Sequence, residues 1–191
     1  MKDAEIIFDY LVSEFSINPK NIILMGRSIG TGAATHLASC RNVGGLILMS
    51  GYTSIKGAVK DYAGKLAKCF VGERFENVEK IQKVKCPILL IHGLLDKLIP
   101  YRQSVELRSK VKEPVYCEIY LSLGMTHNEF DVEADLINPI SNFFRRARIF
   151  VKNGKEEGLK IPQEVNVAPL VKYRKGKSFL NAFYSKIKLT R

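Results

Sequence analysis

No apolar stretch in this chain reaches the roughly 18 residues that a membrane-spanning helix requires. The first nine residues carry acids and no apolar signal core, so the sequence as given reads as intracellular and cytoplasmic. No two of the four cysteines, Cys40, Cys69, Cys86 and Cys117, are spaced as a CxxC pair. That removes the sequence case for a dithiol redox centre or a zinc ribbon. Cys86 and Cys117 fall at or near predicted strands, and the cysteines read as reduced, buried thiols. The three histidines, His36, His92 and His127, are scattered, so no metal site is expected. There is no internal repeat.

Acidic residues are scarce only near the C-terminus. Residues 145–191 hold 13 Lys and Arg against 3 Asp and Glu, so +10 of the net charge of +11 lies there. The preceding body is almost neutral. Any argument about an anionic partner therefore belongs to the tail. The 191 residues, 46% hydrophobic and 26% charged, are enough for one domain with a real core.

Strand and helix patterns alternate along the body. Phe8, Leu11, Val12 and Phe15 recur at helical spacing within 4–15, and Asn18-Pro19 ends that helix. Residues 21–25 form a continuous apolar run, expected as a strand buried on both faces. A small-residue helix over 31–40 comes next. Strands are expected at 43–50, 87–91 and 115–121. Helices are expected at 54–70, 101–111 and 131–146, the last bent near Pro139. Residues 71–85 read as an irregular link with a short helical piece. This order predicts a doubly wound, mainly parallel α/β sheet over residues 1–150. From about 151 the pattern fades into a Lys-rich extension broken by Gly154, Gly158, Pro162, Pro169 and Gly176.

The strongest local signal is Gly26-Arg27-Ser28-Ile29-Gly30, set between a buried strand and a helix. This is the G-x-S-x-G pattern in the strand–turn–helix context that gives it meaning. A tight turn there strains the backbone of Ser28 and lifts its hydroxyl above the sheet. Ser28 would stand at a helix N-terminus, with the Ile29 amide aimed at a developing oxyanion. A dinucleotide loop fits less well, because Thr35 stands where the third glycine of G-x-G-x-x-G would be, and no Walker lysine is present after it.

A serine nucleophile needs a base, and the base needs an orienting acid. Asp96 lies just past the third strand and His127 in the loop after the fourth, so all three residues fall at one sheet edge. The chain order Ser, Asp, His is the one used by this kind of elbow. His92 is the competing base but is expected to pack beside the acid loop. His36 is expected to be structural. Glu129 and Asp131 are alternative acids, too close to His127 in sequence to match the pattern.

Three stretches carry a resemblance: Gly-Arg-Ser28-Ile-Gly-Thr-Gly, Pro-Ile-Leu-Leu-Ile-His-Gly-Leu-Leu-Asp96-Lys-Leu-Ile-Pro, and Gly-Met-Thr-His127-Asn. They resemble the α/β-hydrolase superfamily, most nearly its domain 17 branch of protein depalmitoylases. The link Phe-Glu-Asn-Val-Glu-Lys-Ile-Gln-Lys-Val-Lys-Cys-Pro, residues 75–87, resembles that branch too. The resemblance spans about residues 4–148. It implies Ser28 as nucleophile, Asp96 as acid and His127 as base. The implied reaction is hydrolysis of an acyl ester or thioester, such as that of a lipidated protein, through an acyl-enzyme with no cofactor.

Members of that family begin with several more strands, one bearing a His-Gly loop that supplies a second oxyanion donor. Here Met1 opens on the helix before the elbow strand, and the only His-Gly is His92-Gly93 in the acid strand. The expectation is a fold lacking its N-terminal strands and the cysteine-rich attachment segment of the branch. The alternative function is a catalytically impaired hydrolase core serving as a scaffold or binding module.

In the extension, Phe179, Leu180, Phe183 and Ile187 fall at helical spacing among Lys172, Arg174, Lys175, Lys177, Lys186 and Lys188. The first reading is a solvated tail. The alternative is an amphipathic helix on an anionic membrane surface. Nucleic acid is the weakest partner, because no recognisable binding module accompanies the charge.

Overall fold

A computed structural model describes residues 2–64, 72 and 75–149. These belong to the first of two units of the chain, Met1–Val151. The basic extension and its amphipathic stretch lie outside the described residues. So do Cys69 and the far end of the helix expected over 54–70.

The chain opens on helix α1 (Lys2–Glu14). A 3-10 turn at Pro19–Asn21, capped by Asn18, leads into strand β1 (Ile23–Arg27). Then come α2 (Gly30–Cys40), β2 (Gly45–Met49) and α3 (Ile55–Ala63). A short helix α4 (Asn77–Lys80) continues as a 3-10 turn, Ile81–Lys83, before β3 (Ile88–Gly93). Helix α5 (Arg102–Lys110), strand β4 (Cys117–Ser122) and helix α6 (Asn138–Arg146) complete the unit.

The four strands are parallel and stand in the order β1-β2-β3-β4. Parallel neighbours need crossovers of one hand. In a sheet of sequential order, that places the connecting helices on one side. The side chains agree. Leu46, Leu48, Ile88 and Leu90 pack with Leu37 and Ala38 of α2, Ile81, and Leu107 of α5, with Phe8 of α1 beyond. The alternate residues Ile47, Met49, Leu89 and Ile91 face the other way and pack with Phe143 of α6. Period-two alternation thus supplies both layers from the same strands. The apolar side chains of β2 and β3 are at most 2% exposed, each worth about 1.5–3 kcal/mol of burial.

Three expectations need correction. The run at 21–25 predicted burial on both faces, but Met25 is 48% exposed. β1 ends the sheet among the described residues, with β2 as its one neighbour. The strand is also displaced to 23–27, taking in Gly26 and Arg27. The helix expected over 131–146 is two pieces, a π-helical turn at Val132–Ile137 and then α6. Pro139 has no N–H to return to residue 135, so the chain takes the wider turn before the α-helix begins. Finally, Cys86 is buried, but Cys40 is exposed at the outer end of α2.

No helix among the described residues is long and apolar enough to cross a membrane.

Candidate active site

The elbow at Ser28 is built by close backbone approach. A Cβ on Gly26 would stand 2.6 Å from the Gly30 carbonyl oxygen and 2.8 Å from Thr31 Cα. Only hydrogen fits there. The Ser28 backbone sits in the left-handed region, with φ of 51°, a conformation that costs a non-glycine residue about 1–3 kcal/mol. Neighbours hold it. Its N–H donates to the Met49 carbonyl at 3.0 Å, extending the β1–β2 ladder, and its carbonyl accepts from Thr31 Oγ1 at 2.7 Å. Ile29 begins the first turn of α2, and among the described residues no backbone carbonyl accepts from its N–H. Its amide is thus free to donate beside the hydroxyl.

The three residues singled out from the sequence meet. Ser28 Oγ lies 3.0 Å from His127 Nε2, and His127 Nδ1 lies 2.7 Å from Asp96 Oδ2. A carboxylate can only accept, so Nδ1 carries the proton and Nε2 presents its lone pair to the Ser28 hydroxyl. Asp96 is itself fixed. Its Oδ1 accepts from the Leu98 and Ile99 amides at 3.0 and 2.8 Å. Burial pushes the Asp96 carboxyl up, but His92, the Ile99 amide and His127 outweigh it and hold it down at about 2. The acid therefore stays ionised and can stabilise a positive imidazolium.

The base loop is pinned from two sides. On the β3 side, Gly93 is as tight as Gly26: a Cβ would fall 2.0 Å from the Met125 carbonyl oxygen. That carbonyl accepts from the Leu95 amide at 3.2 Å. On the β1 side, the Arg27 guanidinium donates to the His127 carbonyl and, at 3.2 Å, to Asn128 Oδ1. It also lies 5.8 Å over the Phe130 ring. The sequence reading passed over Arg27, because a residue between Gly26 and Ser28 gives no sign of a partner 100 positions away.

The competitors are placed elsewhere. His92 is fully buried under the acid loop, where Nε2 donates to the Ile99 carbonyl at 2.7 Å and Nδ1 accepts from Ser104 Oγ at 2.6 Å. It reaches Asp96 Oδ2 only at 3.5 Å, and its two ring nitrogens are taken up by Ile99 and Ser104 rather than by Ser28. Asp131 caps the π-helical turn, accepting from the Glu133 and Ala134 amides. Glu129 is exposed on the base loop, its amide held by Thr126 Oγ1.

His36 joins α2 to α1, with Nε2 2.6 Å from Glu5 Oε1. Scattered positions gave no reason to expect a donor cluster, yet the fold brings Glu5, His36 and Cys40 within 4.8 Å of one another. Arg41 stands 3.7 Å from the second Glu5 oxygen and pairs with Asp9, so this corner already carries its own cation.

A pocket of about 190 Å³ opens beside the hydroxyl, walled by Ile29, Tyr52, Ile55, Val59 and Leu98. Its wall is almost wholly apolar. Tyr52 is buried, and its hydroxyl donates to the Ile29 carbonyl at 3.3 Å.

A parallel sheet whose strand ends deliver an elbow serine, a buried acid and a loop histidine in that order is the architecture of the α/β-hydrolases. Solved structures agree on the fold. The esterase domain of a Rhodothermus marinus protein matches 74% of this chain and 65% of its own, at a TM-score of 0.56 and 14% identity. The sequence carries the likeness further: the chain has the α/β-hydrolase fold and is similar to α/β-hydrolase domain 17 proteins. Human α/β-hydrolase domain-containing protein 17B is 31% identical over 142 residues, 74% of this chain and 47% of that protein. The α/β-hydrolase domain-containing protein aho-3 of Caenorhabditis elegans is 31% identical over 141 residues, 74% of this chain and 41% of its own length. The chain thus spans less than half the length of these curated relatives. No protein-family model matches it.

Proposed function

We propose that this chain is the core of a serine hydrolase that cleaves acyl esters or thioesters, with S-acylated proteins as the substrate class. The relay Ser28–His127–Asp96, at 3.0 and 2.7 Å, is the observation that supports this reading. His127 Nε2 takes the hydroxyl proton as Ser28 Oγ bonds to the acyl carbon. Asp96 stabilises the imidazolium, and the Ile29 amide donates to the oxyanion. The imidazolium then protonates the leaving thiol or alcohol as its bond to the acyl carbon breaks. Water repeats the sequence on the acyl-enzyme and restores Ser28. The apolar pocket beside Ser28 suits an acyl chain. Covalent labelling of Ser28 by a fluorophosphonate probe, lost in Ser28→Ala, is the expected result. A folded wild-type sample that does not label sinks the proposal.

A second reading, a non-catalytic binding module, draws on the oxyanion side. Among the described residues, Ile29 is the one backbone donor we assign there, and His92-Gly93 is locked inside β3. Losing one such donor costs about 10²–10³ in rate. The same labelling experiment separates the two. For the basic segment 151–191 the solvated tail stays the first reading, and contact with an anionic membrane surface is the alternative to be tested. Vesicle co-sedimentation unaffected by its deletion would remove that idea.

A further inference from the structure

Two depressions meet at the Ser28–His127 pair, and they differ in chemistry. The first is the apolar pocket on the Ser28 side. The second, about 520 Å³, opens on the His127 side, where Lys97, Thr126 and Asn128 line it together with Leu95. Tyr62 and Leu98 line both and form the ridge between them. Resting on the hydrolase reading above, we propose that the second depression is the leaving-group site. It takes a thiol or alcohol that bears a carboxylate near the scissile bond, and Lys97 sets that preference.

The direction of the chemistry assigns the two sides. Ser28 Oγ keeps the acyl carbon, so the acyl chain extends into the pocket on the serine side. When the tetrahedral intermediate collapses, the bond from the acyl carbon to sulfur or oxygen breaks, and its electrons leave with the heteroatom. That atom takes the proton from His127 Nε2, so it must lie on the imidazole side. The leaving group therefore occupies the depression that His127 lines.

The charge of that depression selects its occupant. Lys97 is exposed on the acid loop, and no carboxylate pairs with it among the described residues. Asn128 turns its Oδ1 to Arg27, which leaves its amide N–H groups to donate outward. An ammonium and an amide donor together favour an anion. Glu129, the next acid along the loop, is not part of the lining. The apolar pocket has no cationic side chain in its lining to pair with a carboxylate, whose burial there would be costly. The reach of a lysine side chain corresponds to about two residues of extended peptide. The carboxylate thus belongs immediately beside the scissile bond.

The test compares matched octanoyl thioesters on the full chain. One pair is an acyl-cysteine peptide flanked by Asp and the same peptide flanked by Lys. The other is S-octanoyl thioglycolate and S-octanoyl thiocholine, whose quaternary ammonium cannot capture the acyl group. The expected kcat/KM favours the anionic member by up to about fivefold for each exposed charge, and the preference shrinks in high salt. Lys97→Glu should reverse the preference while Lys97→Arg keeps it. A preference in both pairs, or in the peptides alone, supports the site and tells a small carboxylate from an acidic peptide. Equal rates in the wild type, or a ratio unmoved by Lys97→Glu, overturn it. Fluorophosphonate labelling of the same samples keeps the two failures apart. Labelling without a charge preference removes the leaving-group site alone. A wild type that neither labels nor hydrolyses removes the hydrolase reading, and this site with it.

Discussion

Replacing Gly93 with alanine should disable the chemistry while leaving most of the fold intact. The added Cβ would stand 2.0 Å from the Met125 carbonyl oxygen and 2.6 Å from its carbon. Ordinary contact begins at 3.4 Å, so the base loop must retreat by about 1.4 Å. The obstacle is backbone, which has no rotamer to change. Met125 is fully buried, its carbonyl engaged by the Leu95 amide and its own amide by Ser122 Oγ. The displacement therefore passes along the chain to His127, two residues on, whose contact with Ser28 is 3.0 Å. A misplacement on the order of 1 Å at a reacting centre costs about 10² in rate. Overpacking a tight contact costs about 1–3 kcal/mol of stability. The assay is the rate of fluorophosphonate labelling, read beside the urea unfolding curve. Labelling should slow about a hundredfold in a protein that is still folded. A folded Gly93→Ala protein that labels at the wild-type rate would show that this contact does not position the imidazole.

Asp96 should make the protein sensitive to acid. Its carboxyl is held at about 2, below the ordinary aspartate value of 3.8. Its contribution of about 2 kcal/mol is therefore present above pH ~4 and lost as pH falls toward ~2. Urea midpoints at pH 5 and 2.5 should fall further in the wild type than in Asp96→Asn; parallel losses would contradict the linkage. Arg27→Ala should slow labelling about tenfold through loss of charge-assisted hydrogen bonds to the base loop. Arg27→Lys should recover part of that rate with little change in Tm. An Arg27→Ala protein that labels normally would remove the positioning role. Thr35 is fully buried, and its Oγ1 has no hydrogen-bond partner among the described residues. Thr35→Val should gain about 1 kcal/mol and raise Tm by a few degrees. A fall in Tm would mean the hydroxyl is satisfied after all.

Much of the fold was legible because its signals are local. The apolar runs of β2 and β3 are continuous because both faces are covered, and each is read within a few residues. The errors fall where a neighbour decides the outcome. The run at 21–25 is as apolar as β2, yet Met25 is exposed, because burial depends on what lies beside the strand. The π-helical turn at 132–137 and α6 share one helical pattern, and periodicity alone does not separate the two.

The site divides the same way, between what strands deliver and what loops grip. Ser28, Asp96 and His127 each stand just beyond a parallel strand, so knowing the strands and their direction is enough to place all three at one edge. Their supports carry no such address. Arg27 points across 100 residues to the base loop, and Gly93 matters because Met125 passes against it. Lys97 is one residue from the acid and reads as an ordinary surface charge until the fold sets it beside His127. The relay is thus written in chain order, while its alignment, and the selectivity proposed for it, are written in tertiary contacts. A homologue that kept the three motif residues but changed Arg27, Gly93 or Lys97 would keep the same relay by inspection, yet differ in rate or in leaving group.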